Sequence, residues 1–498
     1  MKRRLGTRWA GLVLALALAG VSGCARQRVL TVPDAEARLR ADIEEILDNP
    51  AFASGHWGVV IQSLRDGHYL MRRNPHKAFM PASNLKLFTT ATALARLGPD
   101  FRYVTRLFRT GPVVDGVLHG DLVIRGVGDP SITGRYHEGD PLAVFRGWVD
   151  SLKSRGVRRI AGRIVGDDNW FEEEILGAGW SWDYESDWYA AQISALSFND
   201  NCVDIVYTPG PVPGSPVKYE LIPNTRYVEI DFRVVTVRPG LEKEITYQRK
   251  RAANLVRIDG SLPAGGESRR DWFSVENPTR FAAVVFREVL EASGIQVDGN
   301  AWDIDDLPDY TYPDSCPVAT YTSPTMAEIC TAINKVSQNL YAELVLRTLG
   351  KQFRDVGSAA KGIEVVKEFV SEIGIDPQEL VMVDGSGLSR YNYVTPNSIV
   401  TLLRVMRRHP VGRYFYDSLP IAGVDGTLKR RMQGTPAEGN VRAKTGYIEN
   451  ARALSGYVTT ADGEELAFSL IVNNYTVPTS LANDAQDLIC QRLASFSR

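Results

Sequence analysis

The feature that most constrains this chain is its hydrophobic period, which changes twice along its length. From about residue 101 to 314 the apolar residues form short strand-like runs such as Gly120-Asp121-Leu122-Val123-Ile124, Arg163-Ile164-Val165-Gly166 and Tyr227-Val228-Glu229-Ile230. Gly/Pro clusters such as 209–216 break them, and one helical stretch, about 141–155, interrupts them. Helical spacing governs 34–46 and 85–97 before this region, and 325–349 and 363–373 after it. Two strand pairs frame the whole: 57–64 with 68–71 around Arg65-Asp66-Gly67, and 451–458 with 466–472 around Ala461-Asp462-Gly463. Asp-Gly and similar pairs supply the positive φ that tight turns require. A closing helix is expected over 482–496. With 498 residues, 44% of them apolar, the chain has room for about two to four domains.

The N-terminus reads as an export signal over residues 1–23: Lys2-Arg3-Arg4, then an apolar run over 9–21 that is short for a membrane span. Val21-Ser22-Gly23-Cys24 resembles a bacterial lipobox, which predicts acylation of Cys24, a mature chain starting there, and a polar tether over 24–33. Acyl chains would anchor a soluble body to a membrane surface, with the periplasmic side of an outer membrane expected. Lys plus Arg number 57 against 59 Asp plus Glu, for a net charge of −2, so nucleic acid is not an expected partner. Cys202, Cys316, Cys330 and Cys490 are an even number in a disulfide-permissive compartment, with three possible connectivities. Neither they nor the histidines show metal-ligand spacing, so no metal is expected.

Ser83-Asn84-Leu85-Lys86 lies at the start of a helix, where a serine and a lysine three apart share one face. A lysine made neutral by burial can take the serine's proton. Ser-x-x-Lys recurs at Ser215-Lys218, in a Gly/Pro loop, and at Ser358-Lys361, so order decides between them. Only Ser83-Lys86 is followed in turn by Ser337-Gln338-Asn339 and then Lys444-Thr445-Gly446. A second Ser-x-Asn, Ser197-Phe198-Asn199, is also informative only in context.

In this order the motifs resemble those of the penicillin-binding-protein and serine β-lactamase superfamily, and more closely the D-alanyl-D-alanine carboxypeptidase/endopeptidase family of the DacB type. The wider wording agrees: Pro81-Ala82-Ser83, Gly128-Asp129-Pro130-Ser131, Asp384-Gly385-Ser386-Gly387-Leu388-Ser389-Arg390 and Gly423-Val424-Asp425-Gly426-Thr427-Leu428. The resemblance implies an α/β transpeptidase-like catalytic domain formed by 34–100 and 315–498. It implies two nested, mainly β domains inserted over 101–314, filling a gap of about 250 residues between the first two motifs.

The resemblance implies Ser83 as the acylated nucleophile, Lys86 as its base and Ser337 as the relay to the leaving amine. Asn339 would bind the substrate's backbone amide. Lys444 would provide positive potential for the substrate carboxylate and help keep Lys86 neutral, and Thr445 would hydrogen-bond that carboxylate. Gly446 would let the strand approach the substrate. The N–H groups of Ser83 and Tyr447 would form the oxyanion hole. Gln338 departs from the commoner Ser-Asp-Asn, an expected tuning effect. The acid- and aromatic-rich 179–189 segment borders the cleft in the resembled family, and Asp183 is the candidate for a stem-peptide ammonium, with Asp187 close behind. The implied function is a serine DD-peptidase acting on peptidoglycan stem peptides, acylated by β-lactams and needing no cofactor. A β-lactamase-like hydrolase and a non-catalytic wall-binding lipoprotein stay open. The first lacks a Glu-x-x-Leu-Asn after Ser337-Gln338-Asn339, and the second has no use for an intact motif set. No Gly-x-Ser-x-Gly elbow supports a Ser-His-Asp hydrolase.

Overall fold

A computed structural model describes residues 34–315 and 317–498. The expected signal over 1–23, the lipidated Cys24, the tether over 24–33 and Cys316 lie outside the described residues.

The ends of the chain build one antiparallel sheet. Its strand order is Tyr69–Arg73, His56–Ser63, Glu465–Asn473, Ala451–Thr459, Arg442–Ile448. The pleat sends successive side chains to opposite faces, and both faces are apolar. Val59, Ile61, Leu454 and Leu470 pack with Ile43 of the Ala35–Leu47 helix and Ile489 of the Thr479–Ala494 helix. Val60, Ala453, Tyr457 and Ile471 face the other way, into a core shared with helices Lys86–Arg96, Met326–Lys335, Asn339–Arg354, Ala359–Glu372 and Pro396–Arg408. The turns expected at Gly67 and Gly463 are present, with φ of 79° and 82°.

Arg442–Ile448 is an edge strand. Its outer side is met by an isolated bridge from Ile421 to Arg442 and by the bond from Ala443 N–H to the Pro420 carbonyl at 3.0 Å. Beyond Ala443 no other strand pairs that edge among the described residues.

Buried apolar residues between Leu107 and Val318 form a separate core. It lies among a five-stranded mixed sheet (Ala301–Asp303, Ile164–Asp167, Leu122–Arg125, Val104–Arg109, Pro317–Thr322), two three-stranded sheets and two helices. The second helix, Pro278–Ala292, corrects the reading of a single helix here. Asn277 caps it by accepting from Arg280 N–H at 2.7 Å, Pro278 opens it, and Phe281, Val285 and Val289 repeat every fourth residue on its buried face.

The helix expected over 325–349 is also corrected. It breaks into Met326–Lys335 and Asn339–Arg354, with Ser337 in the left-handed region between them at φ 65°. Cys202, Cys330 and Cys490 are buried free thiols, so the even cysteine count does not signal a set of disulfides joining them. Burial pushes all three thiols up in pKa, which keeps them unreactive.

Helices Asn339–Arg354 and Ala359–Glu372 cross at Gly350 and Gly362. A Cβ on Gly362 would sit 2.0 Å from the Leu346 carbonyl oxygen. Gly362→Ala is therefore expected to force the helices apart and lower stability by about 2 kcal/mol, read as a lower urea midpoint at unchanged slope.

Candidate active site

Ser83 sits on a 3-10 turn, Ala82–Leu85, that leads into the Lys86–Arg96 helix. Lys86, one turn later on the same face, donates from Nζ to Ser83 Oγ at 2.8 Å. The same Nζ donates to Asn339 Oδ1 at 2.6 Å and to the Ser386 carbonyl at 2.7 Å. An ammonium has three donors, and all three are placed on neutral oxygens. Lys86 is 0% exposed. Burial outweighs the nearby Asp384 and Glu343 carboxylates, which favour the charged form, and brings the lysine down to about 7.

The break at Ser337 directs its Oγ to Lys444, whose Nζ donates to it at 2.9 Å and to the Thr445 carbonyl at 2.9 Å. Lys444 is wholly buried. Its pKa is held well below the usual lysine range, first by burial and then by the repulsion of Lys86 and Arg452. The positive potential expected of Lys444 is thus opposed by its own surroundings until an anion arrives.

Asn339 uses both ends of its amide: Oδ1 accepts from Lys86, and Nδ2 donates to the Tyr189 carbonyl at 2.7 Å. Thr445 Oγ1 donates to Thr427 Oγ1 at 2.8 Å, which brings the Gly423–Leu428 wording to the site. Gly446 is needed where the edge strand meets the Ser83 turn, since a Cβ there would lie 2.6 Å from the Pro81 carbonyl oxygen. That close contact is with the protein's own backbone. Tyr447 is exposed, with the Arg452 guanidinium 5.1 Å from its ring centre.

One contributor had no motif to reveal its part. Glu343 is buried beneath the 384–389 turn, where its Oε1 accepts from the N–H groups of Gly385 and Ser386 at 2.9 and 2.8 Å. Its Oε2 accepts from Arg347 at 3.2 Å. Burial and the Asp384 charge raise the Glu343 pKa, while Arg347 and the two amides oppose the rise. Asp384 clamps the same turn by accepting from Gly387 N–H at 2.8 Å and Ser389 N–H at 2.7 Å, and from Trp180 Nε1 at 3.0 Å. The turn is what delivers the Ser386 carbonyl to Lys86. The signal that could have found Glu343 is its position, four residues past Asn339 on the same helix face.

The decoy motifs lie elsewhere. Ser358 accepts from Lys361 N–H as a helix cap while Lys361 pairs with Glu364, and Asn199 Nδ2 donates to the Cys202 carbonyl. Asp183 lies on the exposed turn Trp182–Tyr184, at a cavity of about 920 Å3 whose other wall is strand Thr246–Arg249. It has no ion-pair or hydrogen-bond partner among the described residues. By contrast Glu185 pairs with Arg251 and Asp187 accepts from Tyr189 and Tyr247. A trio of carboxylates, Asp168, Asp303 and Asp305, converges within 4.8 Å in the middle region, an arrangement that sequence spacing does not reveal.

Residues 39–496 match the D-Ala-D-Ala carboxypeptidase 3 (S13) family. A D-alanyl-D-alanine carboxypeptidase of Actinomadura sp. is 36% identical over 471 residues, covering 92% of this chain and 85% of that protein. The crystal structure of penicillin binding protein 4 from Haemophilus influenzae superposes with a TM-score of 0.78 at 23% identity, covering 93% of this chain and 100% of that one. The same protein complexed with a β-lactam gives 0.72 at 22%, covering 92% and 99%. These structural likenesses show the fold, an α/β catalytic architecture of the penicillin-binding type.

If neutral Lys86 takes the Ser83 proton, acylation of Ser83 by p-nitrophenyl acetate should fall tenfold per pH unit below about 7 and level off above it. Glu343→Gln removes a charge that favours protonated Lys86, so the limb should move to lower pH. A merely structural loss would slow the reaction at every pH without moving the limb; intact-mass rates across pH distinguish the two.

Proposed function

The chain belongs to the D-Ala-D-Ala carboxypeptidase 3 (S13) family, and on that premise we propose how its residues divide the reaction. It is a serine-type D-Ala-D-Ala carboxypeptidase that works through an acyl-enzyme and is covalently inhibited by β-lactams. The observation that carries the assignment of roles is the 2.8 Å bond between Ser83 Oγ and a wholly buried lysine, whose pKa burial brings down to about 7.

Neutral Lys86 accepts the Ser83 proton as Oγ attacks the carbonyl of the penultimate D-Ala. The resulting oxyanion is received by the N–H groups of Ser83 and Tyr447. The C–N bond then breaks, and the leaving amine takes a proton through Ser337, which is resupplied by Lys444. The proton that Lys86 took from Ser83 makes good the one Lys444 gave up, leaving Lys86 neutral; water then attacks the ester as Lys86 takes its proton, and Lys86 returns that proton to Ser83 Oγ as the ester C–O bond breaks. The substrate's terminal carboxylate meets Thr445 and Lys444, and its arrival favours the charged form that burial of Lys444 resists. The edge strand Arg442–Ile448 offers the extended substrate a backbone to pair with, and Asn339 holds Lys86 and would have to give up its bond to the Tyr189 carbonyl to take the substrate's backbone amide.

Two nested inserts over 101–314 are proposed to wall the cleft, supported by their separate hydrophobic core. Asp183 is proposed to hold the ammonium of a diamino-acid side chain, because it is the acid of the 179–189 segment left without a partner. The same residues suit release of a neighbouring stem, a DD-endopeptidase activity. The Val21-Ser22-Gly23-Cys24 wording supports a lipid anchor on Cys24 and a periplasmic, outer-membrane-anchored enzyme acting on peptidoglycan.

The purified protein incubated with penicillin G should gain the mass of one acyl group, mapped to Ser83 and lost slowly, and Ser83→Ala should gain none. Rapid turnover of the adduct would point to a β-lactamase, and no adduct in folded protein to a retired site.

A further inference from the structure

A cavity of about 410 Å3 opens directly beside the Ser337 turn, walled on that side by Val336 and Gln338 and on the other by residues of the middle region. It takes no part in the reaction as derived above, although its wall and the relay serine are adjacent residues of one turn. Its volume is far more than a single alanine needs and falls in the range of ligand-binding clefts.

Its lining is charged, with two ion pairs. Two guanidiniums line it, each backed by a deeper carboxylate. The side chain of Arg135 is 36% exposed against 21% for Asp200, and that of Arg270 is 47% exposed against 8% for Asp204. Asp200 and Asp204 line the cavity as well, and the guanidinium is the more exposed member of each pair, so an entering carboxylate meets the cations first. The rings of Trp188 and Trp272, 36% and 43% exposed, supply apolar wall beside them.

Two further observations fall at the same place. Asn199, Asp200 and Asn201 hold three successive left-handed φ values of 47°, 56° and 54°, a costly backbone that ends with Asp200 against the active-site helix. Asp200 accepts there from Gln338 Nε2 at 3.2 Å and from Tyr341 OH at 2.7 Å. The Gln338 Oε1 atom, in a residue only 2% exposed, has no hydrogen-bond partner. The departure from Ser-Asp-Asn thus puts a neutral amide where a carboxylate would add a third negative charge to a cavity already holding two ion pairs.

We propose that this cavity is the leaving-side subsite for a cross-linked substrate: it receives a carboxylate-bearing peptide, the neighbouring stem whose amine departs past Ser337. The inference rests on the peptidase reading above and deepens it, because free D-alanine leaves without filling the cavity whereas a neighbouring stem fills it. The subsite then sets preference between substrates and leaves acylation untouched.

The test compares Arg270→Gln and Trp272→Ala with the unaltered protein, on a monomeric stem peptide ending in D-Ala-D-Ala and on two stems joined by a D-alanyl–amine cross-link. Each variant should lose about tenfold in kcat/KM on the cross-linked substrate. The monomer rate, the penicillin acylation rate and the melting temperature should stay unchanged. Equal losses on both substrates, no loss on either, or an unaltered enzyme that cleaves only the monomer would each overturn the subsite while leaving the peptidase reading intact. Failure of the unaltered protein to cleave the monomer or to bind penicillin would overturn both. Using two variants guards against Arg270→Gln unbalancing the buried Asp204.

Discussion

Everything in this molecule that bears on chemistry depends on burying one ammonium group. Lys86 is out of water with its three donors on Ser83 Oγ, Asn339 Oδ1 and the Ser386 carbonyl, oxygens separated by up to 303 positions along the chain. A charged lysine in that setting lacks hydration and gains no ion pair at hydrogen-bond distance. The two carboxylates that act on it, Glu343 and Asp384, are spent on backbone amides and act only through space. The balance leaves the lysine near neutrality at ordinary pH, which a base paired with a serine requires. Any change that lets water in, or withdraws one of the three oxygens, alters that balance before it alters the fold.

Bringing three distant segments to one nitrogen requires unusually close backbone approach, and the sequence meets it with small residues and unusual dihedrals. Gly387, at φ 82°, lies where a Cβ would be 1.9 Å from the Ala82 carbonyl oxygen, and Gly446 meets Pro81 in the same way from the edge strand. Ala82 and Ser337 both adopt positive φ, at 46° and 65°, next to or at the two reactive hydroxyls. Such conformations cost energy and persist only where the surroundings over-determine them. Here the Glu343 and Asp384 bonds to the 384–389 turn, and the Asn84 Nδ2 bond to the Lys444 carbonyl at 3.0 Å, fix those surroundings. The middle region takes part directly, since the Tyr189 carbonyl orients Asn339 and Trp180 caps Asp384.

Ser83 and Lys86 were legible as a pair because a serine and a lysine one turn apart on a helix share a face, and the order of the three motifs singled them out from the decoys. The terminal strand pair and the opening hairpin were legible through their turns. The Ser337 break was not. Nothing in Lys335-Val336-Ser337-Gln338 is a helix breaker, and the left-handed Ser337 is bonded to Lys444, 107 positions away. The Pro278–Ala292 helix carried its own start signal in Asn277-Pro278, but strand-like neighbours on both sides obscured it. Glu343 belongs to no motif, because its work is to hold two amides of a remote turn. Cysteine parity failed because burial alone accounts for Cys202, Cys330 and Cys490.

The most direct test of this account is the titration of Lys86 itself, by carbon-13 NMR of protein labelled at the lysine ε-carbons, with Lys86→Met identifying its resonance. The account predicts a lysine resonance that titrates near pH 7 and is absent from the variant, distinct from that of Lys444, whose pKa is also held low. A Lys86 resonance that stays protonated to pH 10 would mean that the buried group is a permanent cation, and the base for Ser83 would have to be sought elsewhere.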